Sequence, residues 1–315
     1  MVLGRANLDV FAETLLEIAR QDHDVIVVTS DSRGSGKLTH YGEVLPKQIV
    51  ELGIAEQNVI GISAGLASAG KKVFAASPAC FITARSFEQI KNDVAYSDQP
   101  VKIIGISAGV SYGALGATHH SLHDFAALRP INNITIIAPA DNFEACETIK
   151  AIHDFNHPVY VRFGKAPQRH VHGENSSFTI GKAAQIRDGQ NLTFIACGET
   201  VSIALAAAQQ LETEGISCRV LSMHTIKPLD EVAVRKAARE TGAIITVEEH
   251  SVYGGLGEAC AAVIMQSGLS LPFKIIGFPD EYMVSGSQIE IFNHYGISTV
   301  GLAETAHRLL DINAQ

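Results

Sequence analysis

Residues 51–70, ELGIAEQNVIGISAGLASAG, set a carboxylate and two amides, Glu56, Gln57 and Asn58, at the mouth of a run that is otherwise Gly, Ala, Ile, Leu and Ser. A glutamate in a helix's first turn complements the helix dipole, and amide side chains help satisfy the free N–H groups there. Read for chemistry, Glu56 is a shielded acid held near a helix start and aimed at something bound. A second group lies in GATHHSLHD, with His119, His120 and His123. His119 and His123 are four apart and would share a face of any helix there. The acid of the H-E-x-x-H pattern is missing and no third ligand is indicated, so no metal is expected. A Gly-rich loop ending in histidines suits hydrogen bonding to a polyhydroxylated substrate and proton transfer near neutral pH. For His120 and His123 a helix cap with exposed imidazoles is the alternative reading.

Two glycine-rich stretches need separate treatment. SDSRGSGK, residues 30–37, follows an apolar run, but Asp31 stands where a P-loop requires glycine and no helix follows directly, so a nucleotide P-loop is rejected. Ser35 and Arg33 can still meet an anion, a solvated turn being the alternative. EEHSVYGGLG, residues 248–257, lacks the ribose-binding acid expected roughly 20 residues after a dinucleotide fingerprint, and reads as a tight packing turn between strand and helix. There is no G-x-S-x-G elbow and no reactive-cysteine context, so hydrolytic chemistry has no anchor.

These residues need a scaffold. Short β-branched runs, DVIVVTS, KKVFAAS, VKIIGIS, ITIIAPA and VYVRFG, alternate with helical patterns such as NLDVFAETLLEIAR and FEACETIKAIHDF. That alternation predicts parallel strands joined by crossover helices, with ligands at the strands' carboxyl ends. KAPQRHVHGENSS is polar and broken, and marks a linker over 167–180 between a first domain, 1–166, and a second, 181–315. The second set runs NLTFIACG, TVSIALAAAQQLETEG, SCRVLSM, LDEVAVRKAARETG, AIITVEE and FKIIGFPD. The expected fold is therefore α/β, two doubly wound domains in series.

A chain of 315 residues, 46% hydrophobic, is long for one core, which favours the same division. The net charge of −9 offers no field for phosphate backbones or anionic membranes, so no nucleic-acid or membrane partner is expected. No apolar run approaches the roughly 20 residues needed to span a bilayer, and the N-terminus lacks a signal-peptide pattern. The five cysteines are odd in number, widely spaced and without a C-x-x-C pair, which reads as reduced thiols in a cytoplasmic protein.

ELGIAEQNVIGISAGLASAGKKVFAAS, QPVKIIGISAGVSYGALGATHHSLHDFAALRPINNITIIAPAD and PVYVRFGK resemble the pyrimidine-binding domain of transketolases, and TIKPLDEVAV with TGAIITVEEHSVYGGLGEA resembles their C-terminal domain. The motifs occur in the family's order over nearly the whole chain. The G-D-G motif with which a full-length transketolase binds metal and diphosphate is absent. The resemblance thus implies the C-terminal half of a split transketolase: thiamine diphosphate shared with a separate N-terminal subunit that holds Mg2+ or Ca2+, a homodimer within a heterotetramer, and transfer of a two-carbon ketol unit from a phosphorylated ketose to an aldehyde.

Residue by residue, the resemblance makes Glu56 the acid that hydrogen-bonds the cofactor's aminopyrimidine ring, and His119 the histidine that contacts the donor sugar. Arg5, Ser35 and Lys165 fall where the family holds the substrate's phosphate, and Arg162 lies at the same strand end but can equally be structural. Where the family stacks aromatic rings on the aminopyrimidine, gapless alignment puts Ala79 and Ile82, leaving Phe81 and Phe87 nearby. The implied cofactor wall is Phe81, Ile82 and Arg85 beside Glu56. The family's substrate-reading acid aligns with Leu115, which implies a different sugar preference. Two rivals share these features: the beta subunit of a 2-oxoacid dehydrogenase, and a non-catalytic subunit that only binds a partner.

Overall fold

The structure is a computed structural model describing residues 1–173 and 175–311. Its strands are β1 (Leu3–Ala6), β2 (Val25–Thr29), β3 (Ile49–Glu51), β4 (Lys72–Pro78), β5 (Lys102–Ile106), β6 (Thr135–Ile137), β7 (Val159–Phe163), β8 (Pro167–Arg169), β9 (Ala184–Arg187), β10 (Leu192–Ala196), β11 (Cys218–Ser222), β12 (Thr225–Lys227), β13 (Ile244–Ser251) and β14 (Phe273–Phe278). Seven of them form the first sheet, ordered β12-β6-β7-β5-β4-β2-β3, parallel except for β12.

The apolar runs are nearly continuous because this sheet is buried on both faces. Alternate residues sort to opposite sides: Val27, Phe74 and Ile104 pack with Phe11, Leu15 and Ile149 of the helices Asn7–Gln21 and Asn142–His153. Val28, Ala75 and Ile103 face Val59 and Ile60 of the helix Glu56–Ser68, with Ile82 and Phe125. The strand of three residues at β6 is shorter than ITIIAPA suggests, because Ala138 N–H turns to the second half of the chain and bonds His224 O at 2.7 Å.

The second sheet is ordered β14-β13-β10-β11-β9, parallel except for β9. Phe194, Val220 and Ile245 pack under the helices Thr200–Glu212 and Thr299–Asp311. One apolar cluster runs from Val28 and Ile136 in the first sheet to Ile195 and Ile244 in the second. The two α/β units thus share a core, and β12, which follows β11 in the chain, closes the edge of the first sheet against β6.

The polar segment 167–180 opens with β8, which pairs antiparallel with β1. Further on, Val171 N–H and His172 N–H donate to Asp141 Oδ2 at 2.9 and 3.2 Å. The His172 ring lies between Asp141 Oδ2 at 3.2 Å and Glu144 Oε1 at 3.3 Å, and Ser222 of β11 donates to Glu144 Oε1 at 2.6 Å.

Candidate active cleft at the carboxyl ends of the first sheet

Loops after β2, β3, β4 and β5 converge on a cleft of about 380 Å³. Its walls are Ser30, Asp31, Ser32 and Ser35 from the first loop, Ile54 and Glu56 from the second, Pro78, Phe81 and Arg85 from the third, and Tyr112, Leu115 and His119 from the fourth. This is the crevice where a parallel sheet presents ligands. Asp31 has φ of +35°, in the left-handed region that aspartate enters more readily than most non-glycine residues.

Glu56 opens the helix Glu56–Ser68 and is 5% exposed. Arg85 Nη1 donates to Glu56 Oε1 at 2.8 Å, and the Arg85 guanidinium lies 4.1 Å above the Phe81 ring. Phe81 and Arg85 are four apart on the helix Ala79–Arg85 and so share a face. The next residue, Ile82, is rotated by about 100° about the helix axis and points into the core, where it is fully buried. Ile82 therefore gives no surface to the cleft, and Phe81 is the ring that does. Phe87 is exposed but does not line the cleft.

His119 sits between two rings, Phe81 at 5.4 Å and Tyr112 at 5.6 Å, both edge-on at 69° and 72°. Its Nδ1 lies 3.0 Å from Thr118 Oγ1, which leaves Nε2 for other contacts. Lys165 is exposed and stands with its Nζ 4.8 Å from the Tyr112 ring centroid, at the rim of the cleft. Ser35 lines the cleft and donates to Ser32 O at 3.2 Å.

Arg5 does not join them. Its guanidinium donates to both oxygens of Glu13, at 2.7 and 2.5 Å, eight residues along on the helix Asn7–Gln21, and Glu13 lines a separate groove with Asp9, Lys37 and Tyr41. Arg33 faces Glu51 at 3.6 Å and is likewise absent from the wall. No helix forms over His119–His123; the helix begins at Asp124. His123 is exposed at the N-cap position without a capping side-chain hydrogen bond, whereas His120 is buried, its Nε2 bonded to Gly113 O at 2.9 Å. Burial lowers the His120 pKa.

Arg162 proves structural. It is buried, donates to Asp124 Oδ1 at 3.0 Å and Glu249 O at 2.9 Å, and lies 4.6 Å above the Phe125 ring. Tyr160 donates to the other Asp124 oxygen at 2.7 Å. Burial works to lower the Arg162 pKa, but Asp124 and Glu249 outweigh it and hold the charge. The turn at 248–257 is packing too: Glu248 accepts from Leu256 N–H and Gly257 N–H at 2.7 and 2.8 Å, filling the N-terminus of the helix Leu256–Gln266.

Sequence reasoning missed Tyr112 and the loop residues Ser30, Asp31 and Ser32. The available signal for Tyr112 was a lone aromatic inside a Gly/Ser-rich loop. Among the described residues no group of three or more His, Cys, Asp or Glu is placed to hold a metal ion. Among them, too, no helix is long and apolar enough to cross a membrane.

Residues 5–169 match the family model of the transketolase pyrimidine-binding domain, and residues 181–302 that of the transketolase C-terminal domain. Over 297 residues the chain is 52% identical to an apulose-4-phosphate transketolase subunit of Phocaeicola vulgatus, covering 94% of this chain and 95% of that one. It is 38% identical to a putative transketolase C-terminal section of Methanocaldococcus jannaschii, over 93% of each. A solved structure described as a split gene transketolase, inactive beta4 tetramer, superimposes with a TM-score of 0.88 at 31% identity, covering 98% of this chain and 99% of that one. The cleft, the order of the two α/β units and these likenesses agree: this chain belongs to the transketolase family, as the polypeptide of a split transketolase that carries the pyrimidine-binding and C-terminal domains.

Proposed function

We propose that this chain transfers a two-carbon ketol unit from a phosphorylated ketose to an aldehyde, as one half of a thiamine diphosphate-dependent enzyme whose other half is a separate N-terminal subunit. The observation that carries this reading is the buried Glu56 at a helix start, facing a cleft whose other wall is the Phe81 ring. That donor set fits an aminopyrimidine, which needs a carboxyl group for a ring nitrogen and an apolar face to lie on. Bound there, thiamine diphosphate supplies the electron sink for carbon–carbon cleavage.

The chain's own residues have separate tasks. Glu56 hydrogen-bonds the ring and sets its tautomer, and Arg85 fixes the Glu56 carboxyl. His119, pinned by Phe81, Tyr112 and Thr118, turns Nε2 to the sugar and moves protons there. Lys165 and Ser35 meet the sugar's phosphate at the rim. Leu115, 57% exposed, stands where the family's sugar-reading acid would be, which supports a sugar preference different from that of the pentose-phosphate enzyme.

The diphosphate and its Mg2+ or Ca2+ need several oxygen ligands, which fits a partner subunit that supplies them. The helix Glu56–Ser68 leaves Ile62 40% exposed, and Phe87, on the short helix packed against it, is 37% exposed, which supports burial of this face in a homodimer within a heterotetramer. Five free cysteines fit a reducing, cytoplasmic setting.

The test is reconstitution. This chain, the N-terminal subunit, metal and thiamine diphosphate together should cleave ketose phosphates, and no three of the four should. Robust turnover by the chain with cofactor and metal alone would overturn the split reading. Decarboxylation of 2-oxoacids without ketose cleavage would assign the 2-oxoacid dehydrogenase chemistry instead.

A further inference from the structure

The loop that carries Tyr112, Leu115 and His119 is fastened at both feet to the second domain. At its start, Glu249 of β13 accepts from Val110 N–H at 2.9 Å through Oε1. At its end, Ser251 N–H, two residues along the same strand, donates to Leu122 O at 2.9 Å. Between the feet, Ser121 N–H closes the neck onto Gly109 O at 2.7 Å. The crown rests on the second domain as well: a Cβ at Gly113 would come within 3.0 Å of Gly286 O, and one at Gly116 within 3.8 Å of Ser285 Oγ.

Glu249 is itself held. Gln288 Nε2 donates to Glu249 Oε1 and Glu199 Oε2, both at 2.8 Å, and Arg162 Nη2 lies 3.6 Å from Glu249 Oε2. A Cβ at Gly109 would fall on the Glu249 carboxyl, so the loop's first turn is shaped to receive that group, with φ of +61° at Gly109. A buried carboxyl 5% exposed, with one oxygen spent on a backbone N–H of another domain's loop, is a costly arrangement unless it fixes something.

We propose that Glu249 is a positioning residue: the second domain, through Glu249 and its bridge Gln288, sets the conformation of the loop that presents His119 and Tyr112 to the substrate. That the loop meets a ketose rests on the function proposed above; the clamp does not. No atom of Glu249 touches the cleft, so its effect passes through Val110.

Two measurements test this. In the whole chain, hydrogen exchange at the Val110 amide should speed up about tenfold or more in Glu249→Ala, while Ile104 in β5 stays protected. Glu249→Gln keeps an oxygen for Val110 N–H and should keep its protection. In the reconstituted enzyme, Glu249→Ala should lower kcat/KM for the ketose about tenfold with the thiamine diphosphate half-saturation unchanged, and Glu249→Gln should restore most of it. Unchanged Val110 exchange in Glu249→Ala would overturn the proposal, and so would a Gln variant as impaired as the Ala variant. If Glu249→Ala does not fold, Gln288→Ala, at a half-buried site, should still quicken Val110 exchange about threefold, and no change would count against the clamp. The exchange arm needs no turnover, so an unmutated assembly without activity would sink the functional proposal alone.

Discussion

Arg85 and Glu56 are 29 residues apart in sequence and 2.8 Å apart in the cleft, guanidinium to carboxyl. The pair ties the start of one helix to the end of another and leaves Glu56 oriented before any ligand arrives. On the proposed function, Glu56→Gln should fold and assemble normally yet slow proton exchange at the cofactor's thiazolium carbon by about 100-fold or more, because an amide cannot exchange the carboxyl's proton. NMR of that exchange in the assembled enzyme is the measurement. A variant that exchanges like the parent would remove Glu56 from the mechanism.

Phe81 and Ile82 are neighbours with opposite surroundings, and substitution should separate them. Phe81→Ala should weaken cofactor binding and leave the melting temperature nearly unchanged, since the ring is partly exposed in the cleft. Ile82→Ala should cost about 2–5 kcal/mol of stability by opening a cavity in the shared core. Denaturation alongside cofactor titration of the complex distinguishes the two losses.

On the proposed function, Lys165, beside Tyr112 at the cleft, is the better placed of the two for a substrate phosphate, since Arg5 is paired with Glu13. Lys165→Ala should raise KM for phosphorylated ketoses and not for unphosphorylated ones, by the loss of one charge-assisted contact worth about 1.5–3 kcal/mol. Arg5→Ala should leave KM near the parent's and cost at most about 1 kcal/mol, because its pair with Glu13 is exposed. A larger KM effect for Arg5 than for Lys165 would show that Arg5 leaves Glu13 when substrate binds.

Stability should fall between about pH 6.5 and 8, a window set by buried groups. Burial raises Glu144 and Glu248 to about 7, and raises Glu199 also. Each holds its proton in the folded chain at a pH where the unfolded chain has lost it, so rising pH destabilises the fold. Burial opposes charge on His172, but its hydrogen bond to the Asp141 carboxylate leads the effects that outweigh it and raise its pKa, so its contribution is present below 6.5 and lost as pH climbs. His224 and His250, lowered by burial to about 4, act in the opposite sense, but only below 6.5. Melting temperatures from pH 6 to 8 should therefore decline, and Glu144→Gln should flatten the decline. A rise over that range would contradict the assignment.

Glu56, His119, Ser35 and Arg85 all line the cleft, and each lies in the loop or helix that follows a strand of the first sheet, the place where a parallel sheet presents its ligands. Choosing between Phe81 and Ile82 needs the rotation of one short helix, which a gapless alignment does not carry. The resemblance puts Arg5 at the substrate's phosphate, and its pairing with Glu13 is a surface contact that sequence leaves undetermined. The clamp on Val110 joins residues 139 apart, a loop N–H and a carboxyl on β13, and no local sequence pattern links the two. β12 escaped for a similar reason: three residues are too few to show alternation, and their pairing partner β6 belongs to the other half of the chain.

That exchanged strand restricts how the chain can be cut or recombined. A fragment ending in the polar segment 167–180 would leave β6 with a bare row of N–H and C=O groups along Thr135–Ile137, an open template for another chain. A chimera joined there would have to bring a β12 cut to fit its host's β6, along with a carboxyl placed to catch Val110. The two α/β units should therefore tolerate fusion or replacement as one piece better than division within the segment 167–180.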